Sequence, residues 1–90
     1  MTRENGWQGK VAIVTGGSSG IGEATALALV DRGATVLVTG REAAKLAGVA
    51  ARSDAIEILQ ADSADPSSAA RIVDAALSRW GRLDLIVNNA

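Results

Sequence analysis

Cysteine, histidine, tyrosine and phenylalanine are all missing from these 90 residues, and proline and methionine occur once each. Without cysteine there is no disulfide and no thiolate nucleophile. Without cysteine or histidine only carboxylates are left as metal ligands, which excludes the usual transition-metal sites. Trp7 and Trp80 are the only aromatic residues, and nine basic residues nearly cancel ten acidic ones for a net charge of -1. With no lysine or arginine block and almost no stacking surface, the composition points away from nucleic acid. Residues 1–9 are polar, with no apolar stretch typical of a leader, and no apolar run approaches the ~18 residues of a membrane span. The expectation is a soluble cytoplasmic protein without a membrane segment. One domain fits in this length, with a core worth only about 3–5 kcal/mol unless something else reinforces it.

The apolar residues that are present follow a simple alternation. Lys10 to Thr15 is short, β-branched and ended by glycine, as a strand buried on both faces would be. Ile21, Ala24, Thr25, Ala28 and Leu29 then recur at helical spacing, which predicts one buried helix face, and Gly33 stands where a C-terminal cap is expected. Thr35 to Thr39 is a second apolar strand, followed by Gly40-Arg41 and an alanine-rich helix from about Glu42 to Arg52. Ala55 to Gln60 is a weaker third strand. Asp65-Pro66 is expected to open the next helix, with Asp65 at the N-cap and Pro66 at the first helical position. Ile72, Val73, Ala76, Leu77 and Trp80 form the predicted apolar face of that helix, Gly81 its end, and Leu83 to Val87 a fourth strand. Apolar strands separated by amphipathic helices imply an α/β fold with a parallel sheet covered on both faces. Right-handed crossovers make it doubly wound, with strand order 3-2-1-4 and ligand at the carboxyl ends of the strands.

The turn after the first strand is the feature closest to chemistry. Gly16 lets the chain leave the strand sharply, Gly20 lets backbone approach a pyrophosphate, and Gly22 lets the helix pack closely. The helix that starts near Gly20-Ile21 directs unpaired N–H groups and a partial positive charge at the same place, and Ser18 and Ser19 add hydroxyl donors. A glycine turn between a buried strand and an amphipathic helix is the context a dinucleotide cradle requires. A triphosphate-binding loop would need a lysine followed by serine or threonine at the helix start, and Gly20-Ile21-Gly22 offers none.

Thr15-Gly16-Gly17-Ser18-Ser19-Gly20-Ile21-Gly22 resembles the Thr-Gly-x-x-x-Gly-x-Gly fingerprint of the short-chain dehydrogenase/reductase family, and Asn88-Asn89-Ala90 resembles its Asn-Asn-Ala-Gly motif. The resemblance extends from Gly9 to Ala90 and implies a Rossmann-like dinucleotide-binding domain over residues 1–90, the amino-terminal part of a longer fold. It implies that Asp62 and Ser63 face the adenine; the competing reading of Asp62 is a cap of the loop before Asp65-Pro66. It also implies that Asn88 ties the central strands together while the backbone up to Ala90 runs beside the cofactor ribose. Relatives that prefer NAD carry Asp where this chain has Gly40. Arg41 follows directly, and an arginine roughly 20 residues past the fingerprint accommodates a 2′-phosphate, so the expectation is NADP, with NAD second. The competing reading of Arg41 is a solvated helix-start residue paired with Glu42 or nearby charge.

Members of the family carry their catalytic Ser, their Tyr-x-x-x-Lys pair and a further Asn beyond the Asn-Asn-Ala-Gly motif. None can be placed here, and neither Lys10, before the first strand, nor Lys45, on a surface helix, is a substitute. The expectation is therefore an NAD(P)-dependent oxidoreductase acting on alcohol or carbonyl groups, of which these residues supply the cofactor-binding half and are inactive alone. The competing expectation is a noncatalytic nucleotide-binding or interaction module that pairs with a full-length relative. Either the missing carboxyl-terminal half or a second copy is expected to pair with the bare edge of the fourth strand.

Overall fold

The computed structural model describes residues 6–18 and 20–89. Seven elements alternate along the chain: β1 (Val11–Thr15), α1 (Gly20–Asp31), β2 (Thr35–Gly40), α2 (Ala43–Ala50), β3 (Ile56–Gln60), α3 (Ser68–Trp80) and β4 (Leu85–Asn88). All strand pairs are parallel and the sheet order is β3-β2-β1-β4, the doubly wound arrangement that the apolar strands imply.

Alternation along the strands divides the core into two layers. Ala12, Val14, Val36 and Val38 face one side and pack with Ala26 and Leu29 of α1 and Leu46 and Val49 of α2. Val11, Ile13 and Leu37 face the other side and pack with Ile72 and Ala76 of α3. The first two crossovers thus cover one face and the third covers the other. An ion pair between Arg52 and Glu23, 3.0 Å apart, joins the end of the α2 segment to α1.

Three local expectations are corrected. The buried face of α1 is Gly22, Ala26 and Leu29, whereas Ala24 and Ala28 are exposed and Ile21 is 78% exposed. In a helix with apolar residues nearly all round, spacing does not select a face; a tertiary contact does. A Cβ on Gly22 would overlap the Gly16 carbonyl and lie 2.7 Å from Gly17 Cα, so the helix sits against the turn at its glycine and this fixes its rotation. Thr25, expected in the core, instead donates its hydroxyl to the Ile21 carbonyl at 2.7 Å. Asp65 and Pro66 lie before α3, which begins at Ser68. The Asp65 carboxylate accepts from the Ser67 amide at 3.0 Å and the Ser67 hydroxyl at 2.9 Å, closing an Asx turn one step ahead of the helix. Those two bonds, backbone first, lower the Asp65 pKa, with the charge of Arg71 adding to them. On α3 itself Ile72 and Ala76 are buried, but Leu77 is 45% exposed because nothing among the described residues covers that flank. Gly81 ends the helix in the left-handed conformation, donating to the Leu77 carbonyl at 2.8 Å.

Candidate functional site

Three strand ends and the start of α1 converge on one rim of the sheet. Gly16 turns the chain off β1 with φ +65°, and the Gly17 amide donates to the Thr39 carbonyl at 3.1 Å, clamping the turn to the end of β2. Gly20 opens α1 with φ +56°, and a Cβ there would meet nothing within 4 Å. The glycine thus serves the backbone conformation, and the space beside it at the start of α1 is open. Gly22 serves packing, as described above.

Beside this turn lies a cleft of about 380 Å³ whose walls include Gly16, Ser18, Gly40, Arg41, Lys45, Asp62 and Ser63. Five of the residues expected at a cofactor site, Gly16, Ser18, Arg41, Asp62 and Ser63, are therefore brought together from three separate loops. Gly20, Ile21 and Gly22 are on α1 next to it, with Ile21 projecting into solvent. Asn88 stands at the end of β4 and lines an adjacent apolar depression of about 250 Å³ with Ile13, Ile72, Val73 and Ile86; Ser63 borders both. Ser19 and Ala90, also expected at the site, lie outside the described residues.

The side chains of the cleft are held in particular ways. Gly40 is buried, and a Cβ on it would come within 3.1 Å of Ser18 Oγ and 3.4 Å of Leu46 Cδ2. A glycine here places no side chain at the end of β2, and Arg41, Glu42 and Lys45 follow on the same wall of the cleft. Glu42 pairs with Lys45 at 3.3 Å, and no ion pair holds Arg41 among the described residues. The pairing of Arg41 with Glu42 is thus not what the structure has. Asp62 Oδ1 accepts from the Ala64 amide at 2.9 Å, and the Asp62 carbonyl accepts from the Ser68 hydroxyl at 2.7 Å and the Asp65 amide at 3.0 Å. The loop after β3 is therefore tied together by its own polar groups, and the local capping role of Asp62 is present.

At the boundary between β1 and β4, the Thr15 hydroxyl lies 3.0 Å from Asn88 Oδ1, and the Asn89 amide donates to the Thr15 carbonyl at 3.2 Å. At the opposite end of the same pair, Asp84 Oδ2 accepts from the Val11 amide at 2.8 Å while both its oxygens receive the Arg82 guanidinium at 2.8–2.9 Å. The Arg82 fork first, then the Val11 N–H, hold the Asp84 pKa down to about 2. The polar bracket at each end keeps β4 in register with β1.

Sequence reasoning passed over Lys45, Gln60, Asp84 and Thr15. Only Lys45 left a usable signal: it stands four residues after Arg41, so a helix starting at Ala43 carries it on the turn nearest the end of β2. Among the described residues no group of three acidic side chains is placed to hold a metal, and no helix is long and apolar enough to cross a membrane.

Comparison with known proteins follows this geometry. Residues 10–90 match the family model for short chain dehydrogenase. A short-chain dehydrogenase/reductase from a Cladobotryum species, FrzI, is 48% identical over 86 residues, covering 90% of this chain and 33% of that protein. The structure of 3-ketoacyl-(acyl-carrier-protein) reductase from Brucella melitensis, complexed with NADH, is similar with a TM-score of 0.82 at 36% identity, over 88% of this chain and 33% of the other. The C-domain of a bacterial malonyl-CoA reductase, with NADP, gives a TM-score of 0.90 at 33% identity, over 97% of this chain and 15% of the other. The chain therefore spans a third or less of the length of these proteins.

Proposed function

This chain belongs to the short-chain dehydrogenase family, and from that premise we propose that it forms the adenosine and pyrophosphate half of an NADP site in an oxidoreductase acting on alcohol or carbonyl groups. The family uses NAD or NADP; the choice of NADP rests on the wall of the cleft at the end of β2. There Gly40 brings no acidic side chain and Arg41 follows without an ion-pair partner among the described residues, while Lys45 is paired with Glu42 on the same wall. A 2′-phosphate carries the charge and the planar oxygen edge that a guanidinium fork fits, whereas a bare 2′-hydroxyl is better gripped by a carboxylate.

The remaining roles follow from position. The pyrophosphate lies over Gly16 to Gly22, taking the N–H groups of the first turn of α1 and the Ser18 hydroxyl; Ser19 belongs to the same stretch. The adenine lies along the loop of Asp62 and Ser63, which its internal hydrogen bonds hold in a fixed shape. Thr15 and Asn88 keep the last strand beside the ribose. When bound, the nicotinamide supplies or accepts a hydride. No tyrosine is present in the 90 residues to move the accompanying proton, so the proton-transferring groups belong to residues outside this stretch, and the chain by itself is expected to show no sustained oxidation of NADPH with carbonyl compounds.

A direct test uses fragments of the cofactor. Adenosine 2′,5′-bisphosphate is expected to bind about tenfold or more tightly than 5′-AMP, as a charge-assisted bond worth roughly 1.5–3 kcal/mol requires. Equal affinities would remove the 2′-phosphate assignment while leaving an adenine-nucleotide site.

A further inference from the structure

Arg41 lies one residue past the end of β2, where the strand ladder no longer holds the chain. Its carbonyl is nevertheless engaged. Gln60, the last residue of β3, is paired with Gly40 in the parallel register, and its side chain reaches one residue further to donate from Nε2 to the Arg41 carbonyl at 2.8 Å. The next amide along, Ala61, donates to the Gly40 carbonyl at 2.8 Å. Two consecutive carbonyls of the turn are thus held from β3, one by main chain and one by a side chain. The main-chain carbonyl of Gln60 is itself taken by Arg71 Nη2 of α3 at 3.1 Å, so the strand end that carries the carboxamide is anchored from the opposite face of the sheet.

Past Arg41 the Glu42 carbonyl accepts from the Leu46 amide at 3.1 Å and the Glu42 carboxylate pairs with Lys45 at 3.3 Å, but neither contact is to Arg41 itself. Glu42 stands at the N-cap of α2 in extended conformation and makes no side-chain cap hydrogen bond. The helix thus holds Glu42, whereas the Arg41 carbonyl is held from the strand neighbour, by the Gln60 carboxamide. We propose that Gln60 is a positioning residue for cofactor recognition: its carboxamide holds the Arg41 carbonyl and so directs the Arg41 side chain to the adenosine ribose. The proposal rests on the reading of Arg41 as the 2′-phosphate contact. It requires a donor on the residue-60 side chain, which methionine of nearly the same length and a carboxylate both lack.

The test compares the full chain with Gln60→Met, each with Arg41 intact and with Arg41→Ala, by calorimetric titration with NADPH and NADH. Loss of one intramolecular hydrogen bond should weaken NADPH binding roughly three- to tenfold in Gln60→Met, leave NADH within twofold, and have no further effect once Arg41 is alanine. Equal weakening of both cofactors, persistence of the effect without Arg41, or unchanged NADPH affinity would each overturn the proposal. A second readout is independent of cofactor choice: backbone amide relaxation by NMR should show Gly40, Arg41 and Glu42 loosened in Gln60→Met, with Gly16 and Gly17 unchanged. An unaltered turn overturns the positioning role. If Arg41→Ala alone fails to change NADPH binding, the 2′-phosphate reading is what fails, and the relaxation data still decide whether Gln60 holds the turn.

Discussion

β1 and β4 are neighbours in one sheet and carry similar apolar residues, yet they are buried very differently. Val11 to Val14 are at most 3% exposed, whereas Ile86, paired directly with Ile13, is 51% exposed. Sequence alone does not explain this, since Leu85-Ile86-Val87 is as apolar as Ala12-Ile13-Val14. Coverage explains it. β1 has a strand on each side and helices over both faces, while β4 has a strand on one side and receives α1 and α3 only at its inner margin. The two depressions differ in their lining: the cleft is walled by the loops after β1, β2 and β3, while the apolar hollow is walled by Ile13 of β1, Ile86 of β4 and α3.

The comparison breaks most visibly at core positions. Leu46 is 1% exposed and packs under the cleft, so Leu46→Ala is expected to cost about 2–5 kcal/mol. Ile86→Ser should cost less than about 1 kcal/mol, as half-exposed surface positions do. Denaturant titration of both variants checks this pair; similar losses would mean that β4 is covered as β1 is. Arg41→Ala leaves the fold untouched and should weaken NADPH by about 1–2 kcal/mol, its exposure placing it at the low end for charge-assisted bonds, with NADH little changed. Calorimetry with the two cofactors measures the difference, and equal losses would remove the preference for NADP.

The bracket that holds β4 gives the smallest effect and a definite sign. Folding lowers the Asp84 pKa from 3.8 to about 2 through Arg82 and the Val11 amide. The unfolded state therefore binds the proton more readily, and the stabilisation is complete above pH ~4 and fades as pH falls towards 2. Thermal melting across that window should show this acid loss in the wild type and a smaller one in Asp84→Asn. A parallel pH dependence in the two proteins would mean that other carboxylates account for it.

The layout of the sheet was legible in the residues because buried parallel strands read as short apolar runs, and four of them alternate with helical patterns. The glycine turn was equally readable, since Gly16 and Gly20 take positive φ values that other residues avoid. The parts that were not legible depend on contacts between distant segments. Alanine-rich α1 could turn almost any face inward until the approach of Gly22 to the Gly16 carbonyl chose one. Asp65-Pro66 looked like a helix start, but Ser67 satisfied the carboxylate first. Gln60 reaches the Arg41 carbonyl through the register of β2 with β3, which a pattern of residue types does not encode.

The proposed phosphate cradle depends on Gly20, which opens α1 in a left-handed conformation with open space beside it. Calorimetric titration of NADPH into the chain and into Gly20→Val measures it directly. A β-branched side chain there would have to adopt φ +56° and would fill the space the pyrophosphate needs. The account predicts saturable binding to the wild type and none detectable to the variant. Equal affinities for the two proteins would contradict it.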